Sequence, residues 1–410
     1  MFELQEKYAR VLLESCLKVE KDQPLFISYS VMNSSFVEIV SRIAFEMGVR
    51  DIYLDVSDPY IKHDALKNLD IDDLKKLPFW NKTMWDIYAK KNAAFLMLTT
   101  QFPGLMKDID SIKMNEMAKY SYETRKEFDS LRDQSSLAWC IAAVPTEEWA
   151  SVLFPEDEHP VDKLWDSIFD ICSIYADDPV AIWNQKIHKL NERAQKLNAY
   201  QFQVLEYHSS NGTDFTIHLP KNHLWASGRT VLTNGKEVLV NFPTEEVFTS
   251  PDRMSAEGVL YSSKPLSYQD VIIKDFFIRF SSGKAVEAHA REGEDVLQRM
   301  ISICPNSEYL GEVAFVPYDS PISNRGQIFL ETLYDENASC HIALGDSFPE
   351  CIEGGISMDK DYLLEEYHLN KCDSHVDFMV GTKDMSIMGI TEDGRRIPIF
   401  IDGNFTEEFQ

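Results

Sequence analysis

The sequence predicts an α/β protein built from two unlike parts: an N-terminal domain with a doubly wound parallel sheet, then a strand-rich α+β domain. Three observations carry this. Up to about residue 195, short strand-type apolar runs alternate with helix-period segments, the pattern of strand–helix–strand crossovers and therefore of a parallel sheet. Beyond about residue 200 the runs shorten, alternate with period two and are joined by turn residues. The 410 residues also exceed what one ordinary core holds. The expected domains are 1–195 and 196–410.

Taken in order, residues 3–20 set Leu4, Tyr8, Val11, Leu12 and Cys16 at helical spacing. Leu25–Tyr29 is a short buried-type strand. Asn33, Ser34 and Ser35 can cap the next helix, which carries Phe36, Ile39, Val40, Ile43 and Met47 and ends at Gly48. Asp51–Val56 is the second strand. A polar helical region over 63–91 leads to the strand Ala94–Thr99. A charged helix over 113–133 leads to the strand Leu137–Val144, after which Pro145-Thr146-Glu147-Glu148 starts another helix. Residues 156–200 are helical, with a break at Asp177-Asp178-Pro179. No G-x-G-x-x-G or G-x-x-x-x-G-K-[ST] stretch occurs, so this α/β domain is not expected to bind a nucleotide. In the second domain, Phe202–Tyr207 and Asp214–Leu219 flank an Asn211-Gly212 turn. A helix is expected around 283–302. The segment Gly389–Gly403 reads as a hairpin or short meander.

Composition narrows the function classes. Hydrophobic residues make up 44% and aromatics 12%, which excludes a disordered chain. The net charge of −27, with no basic run, excludes a nucleic-acid binder. Seven cysteines, an odd number with no C-x-x-C pair, indicate neither a disulfide framework nor a cysteine zinc site. The N-terminus lacks the basic and apolar regions of a signal peptide, and no apolar run approaches the ~18 residues of a membrane span. A cytoplasmic protein with no membrane partner is expected.

Four clusters in the second domain carry chemistry. In the strand Ser374–Gly381, His375 and Asp377 stand at i and i+2 and so project from one face. Glu312 stands alone in the apolar run Leu310–Pro317. A carboxylate buried there must be paired, protonated or metal-bound; a salt bridge to Lys or Arg is the plain alternative. His341 lies among small apolar residues after Glu336, where a core histidine bonded to backbone is the alternative. Glu245 and Glu246 lie between Pro243 and Pro251 and could simply be a solvated helix start. All four clusters fall in one domain. They contain the His, Asp and Glu mixture that two adjacent divalent ions need, with one bridging carboxylate.

In order, these blocks are Asn241–Thr249 with Pro243-Thr244-Glu245-Glu246, Gly311-Glu312-Val313-Ala314, Glu336–Gly345, and His375–Gly381. With them the sequence resembles the thermophilic-type metallo-aminopeptidase family, the aminopeptidase T and S type. The likeness extends to Trp139–Thr146, to Asp178-Pro179-Val180 with Trp183 and to Asn211–Asp214, and so covers the whole chain. The resemblance implies an α/β N-terminal domain, a metal-binding catalytic C-terminal domain and a homodimer. It implies two divalent ions per chain, zinc or cobalt with manganese tolerated, acting on peptides with a free N-terminus. Carried over residue by residue, the ligands are Glu246, Glu312, His341, His375 and Asp377, with Glu312 as the bridge. Glu336 is either a further ligand or the group that handles the water proton. One position departs from the family: Phe348 stands where a tyrosine that assists catalysis is usual. A phenyl ring cannot donate a hydrogen bond to a developing oxyanion. The sequence therefore predicts a slowed aminopeptidase, with a metal-binding assembly module that has lost turnover as the alternative.

Overall fold

The computed structural model describes residues 1–269 and 271–410. The chain forms two compact units, one from 1–186 with 229–243 and the other from 187–228 with 244–410.

The first unit is built on a parallel sheet. Its strands are β1 (Leu25–Ser30), β2 (Ile52–Ser57), β3 (Ala94–Thr99) and β4 (Trp139–Ala143), with the short strand Asn241–Phe242 beside β4. The spatial order runs from Asn241–Phe242 through β4, β3 and β1 to β2, and every pairing is parallel. Alternation along the strands sends apolar side chains to both faces. Phe26 and Phe95 are paired across β1 and β3 and gather Trp85, Tyr88 and Phe128 on one face. Phe242 is in register with Ala142 and, through it, Leu98, three residues from Phe95 and therefore on the opposite face. There its ring packs 5.5 Å from Tyr8 and 4.6 Å from Trp183. Burial on both faces explains why the strands read as continuous apolar runs, and it is the doubly wound arrangement the sequence predicts. The return of residues 229–243 to this unit differs from a single cut at 195/196. The local pattern gives no sign of it: the segment is a short hairpin, Arg229–Val231 with Glu237–Leu239, followed by the two-residue strand Asn241–Phe242, and pairing with the distant β4 ties it to this unit.

The second unit contains two antiparallel sheets around one core. The larger has nine strands, among them Val204–His208, Asp214–His218, Val271–Ser281 and Ser386–Ile390. The smaller comprises Ala226–Ser227, β5 (Val247–Thr249), β6 (Leu310–Phe315), β7 (His341–Gly345) and β8 (His375–Met379), in spatial order β8-β7-β6-β5 and then Ala226–Ser227. Phe315, Ile342 and Phe378 of the smaller sheet share the core with Tyr207, Phe276 and Ile387 of the larger.

The expected helix over 283–302 is corrected. Lys284–Glu292 is a strand paired antiparallel with Val271–Ser281, and the helix is confined to Glu294–Ile301. Alanine and glutamate favour a helix locally, but the turn decides. Ser282 and Gly283 both have positive φ, 50° and 83°, and they join Ser281 to its partner Lys284 in a two-residue hairpin turn.

Candidate metal centre

One face of the smaller sheet is apolar and packs on the core; the other carries the predicted ligands. Register shows how. Glu312 is opposite Ala343, and Ala343 is opposite Asp377. The three form one row across β6, β7 and β8, with a methyl group in the middle and carboxylates at either end. His341 and His375 lie two residues from Ala343 and Asp377, so they share that face. Glu246 precedes β5 with the same parity as Phe248, which is opposite Ala314.

Glu312 reaches this face because β6 contains a bulge. The register shifts between Leu310, opposite Leu344, and Glu312, opposite Ala343. The extra residue lets Leu310, Val313 and Phe315 all enter the core while Glu312 turns the other way. Gly311 makes the bulge: a Cβ there would stand 2.0 Å from the Asp346 carbonyl oxygen and 2.4 Å from that of Gly345.

The side chains converge as two groups that share one member. Glu246, Glu312 and His341 offer ligand atoms within 4.8 Å of one another, and so do Glu312, His375 and Asp377. His341 Nε2 is 3.2 Å from Glu246 Oε2. His375 Nε2 is 3.1 Å from Glu312 Oε2 and 3.3 Å from Asp377 Oδ1. On the far side of each ring, Nδ1 faces a backbone carbonyl: Ser339 at 3.3 Å for His341, Asp346 at 2.8 Å for His375. A carbonyl only accepts, so each Nδ1 carries a proton and each Nε2 is turned toward the carboxylates, as in metal-ligating histidines.

For the carboxylates the plain alternatives do not fit. Glu246, Glu312 and Asp377 are 6%, 4% and 8% exposed, and among the described residues no Lys or Arg forms an ion pair with any of them. Asp377 Oδ1 is buried without a hydrogen-bond partner. Burial alone would depress His341, yet the facing Glu246 carboxylate pushes it up to about 10. His375 is likewise held well above its usual range against burial, by Asp377 and Glu312. Burial, helped by the charge of Asp377, pushes Glu312 up to about 7. Burial alone would raise Asp377, yet the charge of the neighbouring His375 brings it down to about 2. Three buried carboxylates facing two imidazoles is a donor set that suits divalent cations of borderline character.

Glu336 belongs to neither group. It lies 9% exposed in the turn Glu336–Ala338, close enough to Asp377 and Glu246 that burial and their charges push it well above the usual carboxylate range. Phe348 stands at the same site, with its ring 5.1 Å from that of His375 and 5.2 Å from Phe248. All seven predicted positions are therefore brought to one face. Sequence reasoning missed Ala343, the bulge at Gly311 and the two carbonyl partners of the histidines. Glycine inside a strand was the available signal for the bulge.

The profile of the thermophilic metalloprotease (M29) family matches residues 2–405. Aminopeptidase AmpS of Bacillus subtilis is 36% identical over 400 residues, covering 97% of each chain. Aminopeptidase T of Thermus thermophilus is 31% identical over 402 residues, covering 98% of each. The solved structure of wild-type AmpT from Thermus thermophilus superposes with a TM-score of 0.90 at 30% identity, covering 99% of this chain and 100% of that one. With a family match over nearly its full length and such relatives, the chain belongs to the thermophilic metalloprotease (M29) family.

Proposed function

We propose that this aminopeptidase removes N-terminal residues from peptides with two divalent ions per chain, one held by Glu246, Glu312 and His341, the other by Glu312, His375 and Asp377. The observation that carries the proposal is that the Glu312 carboxylate belongs to both ligand groups, as a bridging ligand must. Those residues would hold the ions, which when bound would supply Lewis-acid polarisation of the scissile carbonyl and a water ionising nearer neutral pH. Zinc, cobalt and manganese all suit nitrogen and oxygen donors.

The chain's own residues do the rest. Ser339 and Asp346 orient the imidazoles through their carbonyls. Glu336 lies outside both groups, a position that favours proton transfer over ligation. It is suited to take a proton from the attacking water and deliver it to the departing amine. The acidic surroundings favour a substrate's N-terminal ammonium group. At Phe348 no hydroxyl is available for the oxyanion, and the expected result is slower turnover. A metal-binding assembly module without turnover is the less favoured reading, because the relatives above are named as aminopeptidases.

A homodimer in the cytoplasm completes the proposal. Among the described residues no helix is long and apolar enough to cross a membrane. Light scattering on the purified protein measures the dimer directly. For the site itself, calorimetric titration of metal-free protein with zinc should show two equivalents bound per chain; one equivalent, or none, overturns the two-ion assignment.

A further inference from the structure

Asn337 is fully buried in the turn that carries Glu336, and its side chain spans the gap between that turn and the segment bearing Glu246. The Glu245 backbone N–H donates to Asn337 Oδ1 at 2.7 Å. On its other side, Asn337 Nδ2 donates to the Leu333 carbonyl at 3.1 Å and lies 3.5 Å from Glu336 Oε1. The partners fix which way the amide points. A backbone N–H can only meet the oxygen, and a carbonyl can only meet the NH2 group. The main chain of Asn337 is held as well, by Ser320 Oγ donating to its carbonyl at 3.1 Å.

From this geometry we infer that Asn337 is a positioning residue for both halves of the site. Its oxygen holds the peptide next to Glu246, so the carboxylate stays on His341. Its NH2 group holds the turn and side chain of Glu336. Glu246 lacks the support that the other ligands have. Glu312, His341, His375 and Asp377 sit within paired strands, whereas Glu246 stands just before the three-residue strand β5. A single side chain thus links the least supported ligand to the group that handles the proton. The inference rests on the roles proposed above for Glu246 and Glu336.

Two substitutions separate the two halves. Asn337→Asp keeps an oxygen for the Glu245 N–H and removes the NH2 donor. Asn337→Ala removes both. Zinc affinity is measured by calorimetry on metal-free protein, kcat and KM on an aminoacyl anilide with zinc added, and folding by circular dichroism and thermal unfolding without metal. Asn337→Ala is expected to weaken zinc binding by about 10–100-fold, the usual cost of losing support behind a metal ligand. Asn337→Asp should bind zinc within about threefold of wild type, yet lose about tenfold or more in kcat with KM little changed. Wild-type zinc affinity in folded Asn337→Ala overturns the inference, as does an equal affinity loss in both variants. If Asn337→Ala does not fold, the split between affinity and kcat in Asn337→Asp decides. Failure of the underlying reading looks different: wild-type protein would bind fewer than two zinc ions, or Glu336→Gln would keep wild-type kcat.

Discussion

Glu312→Gln is the perturbation that reaches furthest into this site. The substitution preserves shape in a position that is 4% exposed, and it replaces one oxygen of the carboxylate that both ligand groups share with an NH2 group. A unit charge pair at 4 Å is worth about 4 kcal/mol at an effective dielectric of about 20. Removing the Glu312 charge therefore costs each ion about 4 kcal/mol or more, a factor of about 10³ in affinity. At metal concentrations 100-fold above the wild-type dissociation constant, each bound ion stabilises the fold by about 2.7 kcal/mol. In the variant that contribution falls to nearly nothing. The metal-free protein should tolerate the change, because glutamine keeps the shape and burial already works against a charge at Glu312. The assay is thermal unfolding of wild type and variant with and without zinc, alongside calorimetric zinc titration and anilide hydrolysis. Expected are matching metal-free melting curves, loss of the zinc-induced shift, and a fall in activity of about 10³-fold or more. A folded variant that binds two zinc ions with wild-type affinity refutes the bridging role.

Three further outcomes follow from the same geometry. Phe348→Tyr places a hydroxyl beside His375, whose ring is 5.1 Å away, and should raise kcat by about 10–100-fold, since such donors carry about 10²–10³ in rate; an unchanged or lower kcat means the position has another use. Gly311→Ala drives a methyl into the Asp346 and Gly345 carbonyl oxygens, so it should destabilise the protein by about 1–3 kcal/mol and weaken zinc binding, both read from melting with and without metal. Cys340→Ser should keep most activity, because Cys340 packs in the core on the face away from His341 and its Sγ already donates to the Val316 carbonyl at 3.3 Å; complete loss of metal would contradict that placement.

Most of the proposed ligands were legible because they are ionisable residues inside apolar strands, where burial leaves few ways to neutralise them; Glu246, just before a strand, was singled out by resemblance. Glu312 among Leu310, Val313 and Phe315 is the plainest case, and the period-two spacing of His375 and Asp377 placed them on one face without any structure. The parallel sheet was legible for the same reason, since strands buried on both faces must be apolar throughout. What stayed hidden depends on pairing between distant segments. The row Glu312–Ala343–Asp377 exists only through the register of β6, β7 and β8. The strand Lys284–Glu292 has helix-favouring residues, and only the Ser282-Gly283 turn pointed to its hairpin. Asn337 looked like a neighbour of two better candidates, because a side chain's bond to a backbone N–H 92 positions away leaves no pattern in the sequence.

Hydrolysis of leucine p-nitroanilide by metal-stripped protein, with and without added zinc or cobalt and beside an N-acetylated control, tests the central claim most directly. Cleavage that requires metal and a free amino group is expected. Cleavage of both substrates, or hydrolysis that persists in stripped protein under a chelator, would contradict a metal-dependent aminopeptidase.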